Sequence, residues 1–176
     1  MEGSSGFRPI YDRHATRVFN LCLNYLHSTH DAEEVTQDVF VKVHERLGQF
    51  RGEAEVSTWI YRITVNACLD RLRARKRRSR FGLHLFFGSD IREDAHEFPQ
   101  FNHPGVPMED REATERIMKA IRSLPERQQT ALILKTMDGL SQQQIANVMG
   151  LTVKAVESLL SRARATLNEK LRGSEG

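Results

Sequence analysis

The stretch from Gln142 to Ser161, QQQIANVMGLTVKAVESLLS, constrains this chain more than any other, because two short helices crossing at a tight turn leave little choice at each position. Ser141 can cap the first helix through its hydroxyl, and Ile145, Met149, Leu151, Val156 and Leu159 supply apolar groups where crossed helices bury them. Ala146 falls at the close crossing, and Gly150 at the turn where a positive φ is expected. On the second helix Val153, Val156, Leu160, Ala163, Leu167 and Leu171 form the predicted buried stripe. That arrangement leaves Lys154, Glu157, Ser158, Ser161, Arg162 and Arg164 outward. A helical hairpin can be a piece of core and nothing more, but these outward residues are of the kinds that read base edges and hold phosphates.

The 176 residues suffice for one medium domain or two small ones, and a hydrophobic content of 39% is enough for real cores. A formal net charge of +3 is mild, so a nucleic-acid surface has to come from local clustering. Cys22 and Cys68 lie inside apolar helical patterns without the spacing of a metal or redox motif, and both read as buried core thiols. No segment has the apolar run of a membrane span, and the polar start MEGSSG does not read as a signal peptide, so a cytoplasmic location is expected.

Apolar residues recur at helical spacing from Ile10 to Leu26. A second helix follows, with Asp31 and Glu34 placed as a capping box and Val35, Val39, Val43 and Leu47 as its buried stripe to about Gln49. Gly48 and Gly52 bracket a loop, after which Ser57 can cap a third helix from Thr58 toward Arg75. Ile60, Ile63 and Ala67 should face a core with Tyr61, Val65, Cys68 and Leu72 beside them, while Arg62, Asn66, Asp70 and Arg73 line a polar stripe. Trp59 reads as a core anchor, with stacking on a base as the alternative.

The densest charge run is Arg71, Arg73, Arg75, Lys76, Arg77, Arg78 and Arg80. Such a run can be a solvated helix end, but seven like charges in ten residues repel one another and suit a polyanion.

Periodicity is lost between Phe81 and Asp110, a stretch rich in Gly, Pro, acidic and aromatic residues that reads as a linker with a docking role. A second block begins at Arg111, is interrupted at Leu124-Pro125, continues from Glu126 to Met137, turns at Asp138-Gly139 and ends in the helix-turn-helix. No strand-like alternation appears. The expected fold is all-α, two small helical domains at 7–80 and 111–172 joined by a linker at 81–110.

These residues together resemble a sigma factor of RNA polymerase, of the short extracytoplasmic-function type. Asp31 to Arg73 is similar to the family's region two, and Leu124 to Leu167 to its region four. The resemblance implies that region two binds polymerase and the proximal promoter element, and that region four binds the distal element. It implies that Glu34, Gln37, Asp38 and Val41 dock on the coiled-coil clamp of the β′ subunit, with the β flap as a further polymerase contact. It assigns Phe50, Arg51, Tyr61, Arg62 and Asn66 to a base flipped from melted DNA, with Arg73 and Arg77 on the same proximal element.

Lys154, Glu157, Ser158, Ser161, Arg162 and Arg164 would meet the distal element; Glu157 and Leu159 depart from the basic residues often found there, so the promoter sequence cannot be copied from relatives. An anti-sigma factor is a further implied partner, in some members anchored in the membrane.

No Walker-type loop, HExxH or nucleophile elbow is present, so no catalysis, cofactor or small-molecule substrate is expected. His27 and His30 lack a third ligand and read as an exposed pair in a turn rather than a metal site. Two other readings remain open, a stand-alone helix-turn-helix transcription regulator and a helical module that sequesters a protein. The first is disfavoured because nucleic-acid chemistry also sits in the first block.

Overall fold

The computed structural model describes residues 6–50, 52, 55–85 and 111–172, with the side chains of 79–85 and 111–115 outside the description. The linker residues from 86 to 110, with their acidic and aromatic groups, therefore lie outside the described residues, as does Arg51. Among the described residues there are seven α-helices and no strand: α1 (Phe7–Leu26), α2 (Thr29–Arg46), α3 (Val56–Leu85), α4 (Arg111–Arg122), α5 (Glu126–Thr136), α6 (Gln142–Met149) and α7 (Val153–Arg172). They divide into two compact units, one built from α1 to α3 and the other from α4 to α7.

In the first unit all three helices pack on one another. Val18, Leu21, Cys22, Tyr25 and Leu26 repeat at three- and four-residue intervals and bury one stripe of α1. They meet Val35, Val39 and Val43 of α2 and Ile60, Val65 and Cys68 of α3, all of which are buried. Burying a side chain of this kind is worth roughly 1.5–3 kcal/mol, so this apolar stripe rather than helix propensity holds the unit. Thr64 is also buried on the inner side of α3, and its hydroxyl donates to the Ile60 carbonyl at 2.9 Å. That bond removes the cost of a polar group in the core.

Several local expectations are corrected. α1 starts at Phe7, and Ile10 and Tyr11 lie outside the buried stripe: Tyr11 is 42% exposed and packs edge-on against Phe40 of α2, with the ring centroids 4.7 Å apart. Ser28, not Asp31, caps α2: its hydroxyl accepts from the Asp31 amide at 3.2 Å, which places Asp31 inside the first turn. Ser57 likewise lies inside α3, with its hydroxyl donating to Glu55 at 3.3 Å rather than capping.

α3 continues ten residues past Arg75 to Leu85, so the helix overruns the start expected for the linker. Ile63 and Ala67 are only half-buried, since the inner line of α3 runs through Ile60, Thr64 and Cys68 instead. His27 is buried rather than exposed. It ends α1 in the left-handed region at φ 52°, where its amide donates to the Leu23 carbonyl at 2.9 Å.

In the second unit α7 packs against α4, α5 and α6. Ser141 caps α6 within a complete capping box: the hydroxyl accepts from the Gln144 amide at 3.2 Å, and the Gln144 side chain accepts from the Ser141 amide at 2.9 Å. Gly150 closes the helix at φ 65° and ψ 39°, the turn geometry the sequence required of it. Ile145, Ala146 and Val156 are buried as expected, whereas Met149, Leu151, Leu159, Val153, Leu167 and Leu171 are half-buried. Val148 takes a fully covered place that the sequence pattern had not assigned.

Candidate nucleic-acid and polymerase interfaces

α7 is set by Thr152, whose hydroxyl accepts from the Ala155 amide at 3.2 Å, and by the buried line Val156, Leu160 and Ala163. At about 100° per residue, Lys154, Ser158, Ser161 and Ala165 lie within about 60° of one another on the opposite side. All four are exposed. Measured from Lys154, Arg162 lies about 80° to one side of this line and Glu157 and Arg164 about 60–80° to the other, and these three are also exposed. A helix in a major groove needs such a layout: short side chains toward the base edges and cations toward the two flanking backbones. Thr152 and Ala165 were missed in the sequence. Thr152 carries the signal of a cap three residues before its amide partner. Ala165 continues the four-residue step from Ser161, and its exposed methyl is of the kind that meets a thymine methyl.

α3 presents a second strip. Arg62, Asn66, Arg73 and Arg77 are exposed and fall within about 60° of one another. Trp59 lies on the same side, one turn earlier. It is half-buried rather than a core anchor, with its ring centroid 5.0 Å from that of Phe50 and the planes tilted by 38°. The half-buried Phe50 and Trp59 thus bring an aromatic pair to the start of the strip. Tyr61 is not brought there: it is 7% exposed and belongs to the inner side of α3. Arg73 also reaches Asp70 at 3.3 Å.

The basic run is shorter in space than in sequence. Arg71 turns away from the strip toward α2, where its Nε donates to Asp31 Oδ1 at 3.1 Å and its Nη2 to both Asp31 and Glu34. Asp31 first, and then Glu34, hold the guanidinium above even its ordinary high pKa. Arg71 is therefore an ion-pair residue, and the expectation that it belongs to a phosphate-attracting patch is corrected.

On α2, Glu34, Gln37, Asp38 and Val41 are exposed and share a face about 100° wide. Val41 is 56% exposed, an apolar group standing among polar ones. Glu34 is committed within the chain, since its second oxygen lies 3.4 Å from His30 Nε2.

Cys22 and Cys68 are free and buried. Hydrogen bonding with Cys22, and then burial, push the Cys68 thiol far up from its ordinary range. Among the described residues no group of three or more His, Cys, Asp or Glu side chains could hold a metal ion. No described helix is long and apolar enough to cross a membrane.

Two helical units, one ending in a helix-turn-helix and the other offering a cationic, aromatic-headed strip on α3 and an acidic face on α2, have the layout of a transcription factor. The family comparisons divide the chain in the same way: sigma-70 region 2 matches residues 10–78 and sigma-70 region 4 matches residues 114–167. The RNA polymerase sigma-H factor of Pseudomonas aeruginosa is 33% identical over 165 residues, covering 88% of this chain and 80% of that protein. The ECF RNA polymerase sigma-E factor of Escherichia coli K12 is 31% identical over 165 residues, covering 94% of this chain and 86% of that protein.

The chain belongs to the extracytoplasmic-function sigma factors of RNA polymerase, within the sigma-70 family. Its fold is also that of the sigma factor RpoE of Bartonella quintana, solved with the anti-sigma factor NepR, at a TM-score of 0.69 and 21% identity over 94% of this chain and 96% of that one. CnrH, solved with the cytosolic domain of CnrY, gives a TM-score of 0.68 at 24% identity over 98% and 94% of the two chains.

Proposed function

We propose that the protein binds core RNA polymerase through the Gln37, Asp38 and Val41 face of α2, with Glu34 at its edge, and reads two promoter elements with its two units. The α2 face would dock on the coiled-coil clamp of β′. An ammonium or guanidinium partner suits Asp38, and Val41 adds the apolar contact that gives such a patch affinity. The second unit would meet the β flap, and its exposed apolar residues Ile117 and Met137 support a protein contact there.

Phe50, Trp59, Arg62 and Asn66 would receive a base that has left the stack of the proximal element, with Arg73 and Arg77 along its backbone. An aromatic wall, an amide for the base edge and cations for phosphates are the parts such a pocket needs. Arg51, assigned to the same task by resemblance, lies outside the described residues, and the covered Tyr61 is left out of the base-receiving set. Lys154, Ser158, Ser161 and Glu157 would face the distal element, with Arg162 and Arg164 on its phosphates.

The single observation that carries this reading is the pairing, in one chain, of a helix-turn-helix unit with a second unit whose α3 offers a separate cationic strip. A regulator that bound only duplex DNA would not need the second strip. We extend the proposal to a cytoplasmic site of action and to control by an anti-sigma factor, membrane-anchored, that covers the α2 and α7 surfaces. RpoE, solved with the anti-sigma factor NepR, and CnrH, solved with the cytosolic domain of CnrY, motivate that extension. Run-off transcription with core polymerase and a library of promoter fragments tests it. Transcripts that start at fixed positions only when the protein is added support the reading. DNA binding without any polymerase-dependent transcript returns the stand-alone regulator.

A further inference from the structure

Of the groups on the α2 face, Glu34 is the one whose two carboxylate oxygens both have partners among the described residues: Arg71 on one and His30 on the other. Asp31, one turn earlier, shares the same guanidinium. These bonds span 40 and 37 residues of sequence, so they are tertiary ties between α3 and the first turns of α2. Arg71 lies about 180° around α3 from Arg62, on the edge of the packed side. The Asp31 side chain keeps only 19% of its exposure and that of Arg71 39%, so the pair is partly shielded rather than loose on the surface.

A planar guanidinium that bridges two carboxylates fixes direction as well as charge, which an ammonium cannot do in the same way. Without it, Asp31 and Glu34 would be neighbouring anions three residues apart, repelling each other and free to turn toward solvent.

We propose that Arg71 is a positioning residue for polymerase binding: it holds Glu34 down against α2 and neutralises it, so that Asp38, Gln37 and Val41 form the surface presented to the partner. The inference rests on α2 being the polymerase-facing helix. Its consequence is that Arg71, inside what reads as a DNA-binding basic run, acts on polymerase affinity and not on DNA charge.

The experiment is a double-mutant cycle on the full chain, with Arg71→Ala, Glu34→Gln and the double variant, reading affinity for core polymerase by titration. Arg71→Ala should weaken core binding about fivefold, a difference of about 1 kcal/mol. Because the removed Arg acts through Glu34, the double variant should recover most of that loss rather than add to it. Arg71→Lys should keep helicity and Trp59 emission at parental values yet remain impaired, since it keeps the charge and loses the fork.

Core affinity of Arg71→Ala within twofold of the parent overturns the proposal, as does strict additivity in the cycle. Asp38→Arg is run alongside. If that charge reversal leaves core binding intact while the fold is retained, the polymerase-facing reading of α2 has itself failed; if it abolishes binding and the Arg71 cycle is flat, only the positioning role has failed.

Discussion

The flanking arginines of α7 allow a prediction with a number attached. Arg162 and Arg164 are exposed on opposite sides of the strip formed by Lys154, Ser158, Ser161 and Ala165, so each would face a different phosphate backbone when that strip lies in a groove. Every phosphate neutralised releases counterions, and the logarithm of the binding constant falls against the logarithm of salt by about 0.9 per contact on duplex DNA. Arg162→Ala and Arg164→Ala should therefore each reduce the slope by about 0.9, and the double variant by about 1.8. Over a fourfold rise in salt, from about 50 to 200 mM, each missing contact makes the decline in affinity about 3.5-fold shallower. Neither substitution removes buried surface, so unfolding should shift by less than about 0.5 kcal/mol. The assay is fluorescence anisotropy of a labelled distal-element duplex across that salt range, on the full chain. A parental slope in both single variants would falsify the phosphate assignment. A lower affinity with an unchanged slope would instead mean that the arginines work through neighbouring side chains such as Glu157.

The remaining predictions concern the turn, the thiols and the proximal strip. Gly150→Ala should cost about 1–2 kcal/mol from backbone strain alone, because a Cβ there meets nothing within 4 Å while φ is +65°. The loss should appear in hydrogen exchange of α6 and α7 and leave the emission of Trp59, the chain's one tryptophan, unmoved. Cys22 and Cys68 should resist a charged disulfide reagent at about pH 8, since both are fully covered and the raised Cys68 stays protonated; rapid reaction in the folded protein would show that α1 and α3 open readily. Asn66→Ala should lower permanganate reactivity of the proximal element on duplex promoters by the equivalent of roughly 1–3 kcal/mol. A template already unpaired there should restore only the melting part, and parental activity on both templates would remove Asn66 from base recognition.

What the sequence disclosed well was governed by neighbours a few residues away. Ser141, Gln144 and Gly150 form their cap and turn within a single segment, so local chemistry decided them. The start of α2 was different. Ser28 and Asp31 are both competent caps, three residues apart, and the sequence alone favoured the Asp with Glu34 behind it. The structure starts α2 at Thr29, so Ser28 is the cap, and the Asp31 side chain is left to meet Arg71, which is 40 residues away on α3.

The same distance effect hid the true size of the basic patch. Trp59 was misjudged for a related reason. Its place on α3 is one turn before Arg62, but the packed line through Ile60 and Thr64 is set by α1 and α2, and no periodicity within α3 fixes that rotation to better than one residue. His27 takes a left-handed cap that glycine or asparagine usually fills, so nothing in its own segment announced it.

A base drawn out of its stack costs a few kcal/mol, and a receiving surface that also had to be ordered would add to that cost. α3 is held before any DNA arrives. Its inner line packs on α1 and α2, the Thr64 hydroxyl is satisfied inside the helix, and Arg71 anchors its flank to α2. The side carrying Trp59, Arg62, Asn66 and Arg73 is left outward by the same constraints that bury the other. Because the tie through Arg71 ends on the helix that carries Gln37 and Asp38, rotation of α3 and placement of the α2 face are mechanically one problem. A change that rolls either helix disturbs this bridge together with the packing of α2 on α3. On the proposed reading this couples docking on polymerase to the geometry of the strip that receives the base, through a guanidinium that touches neither DNA nor polymerase.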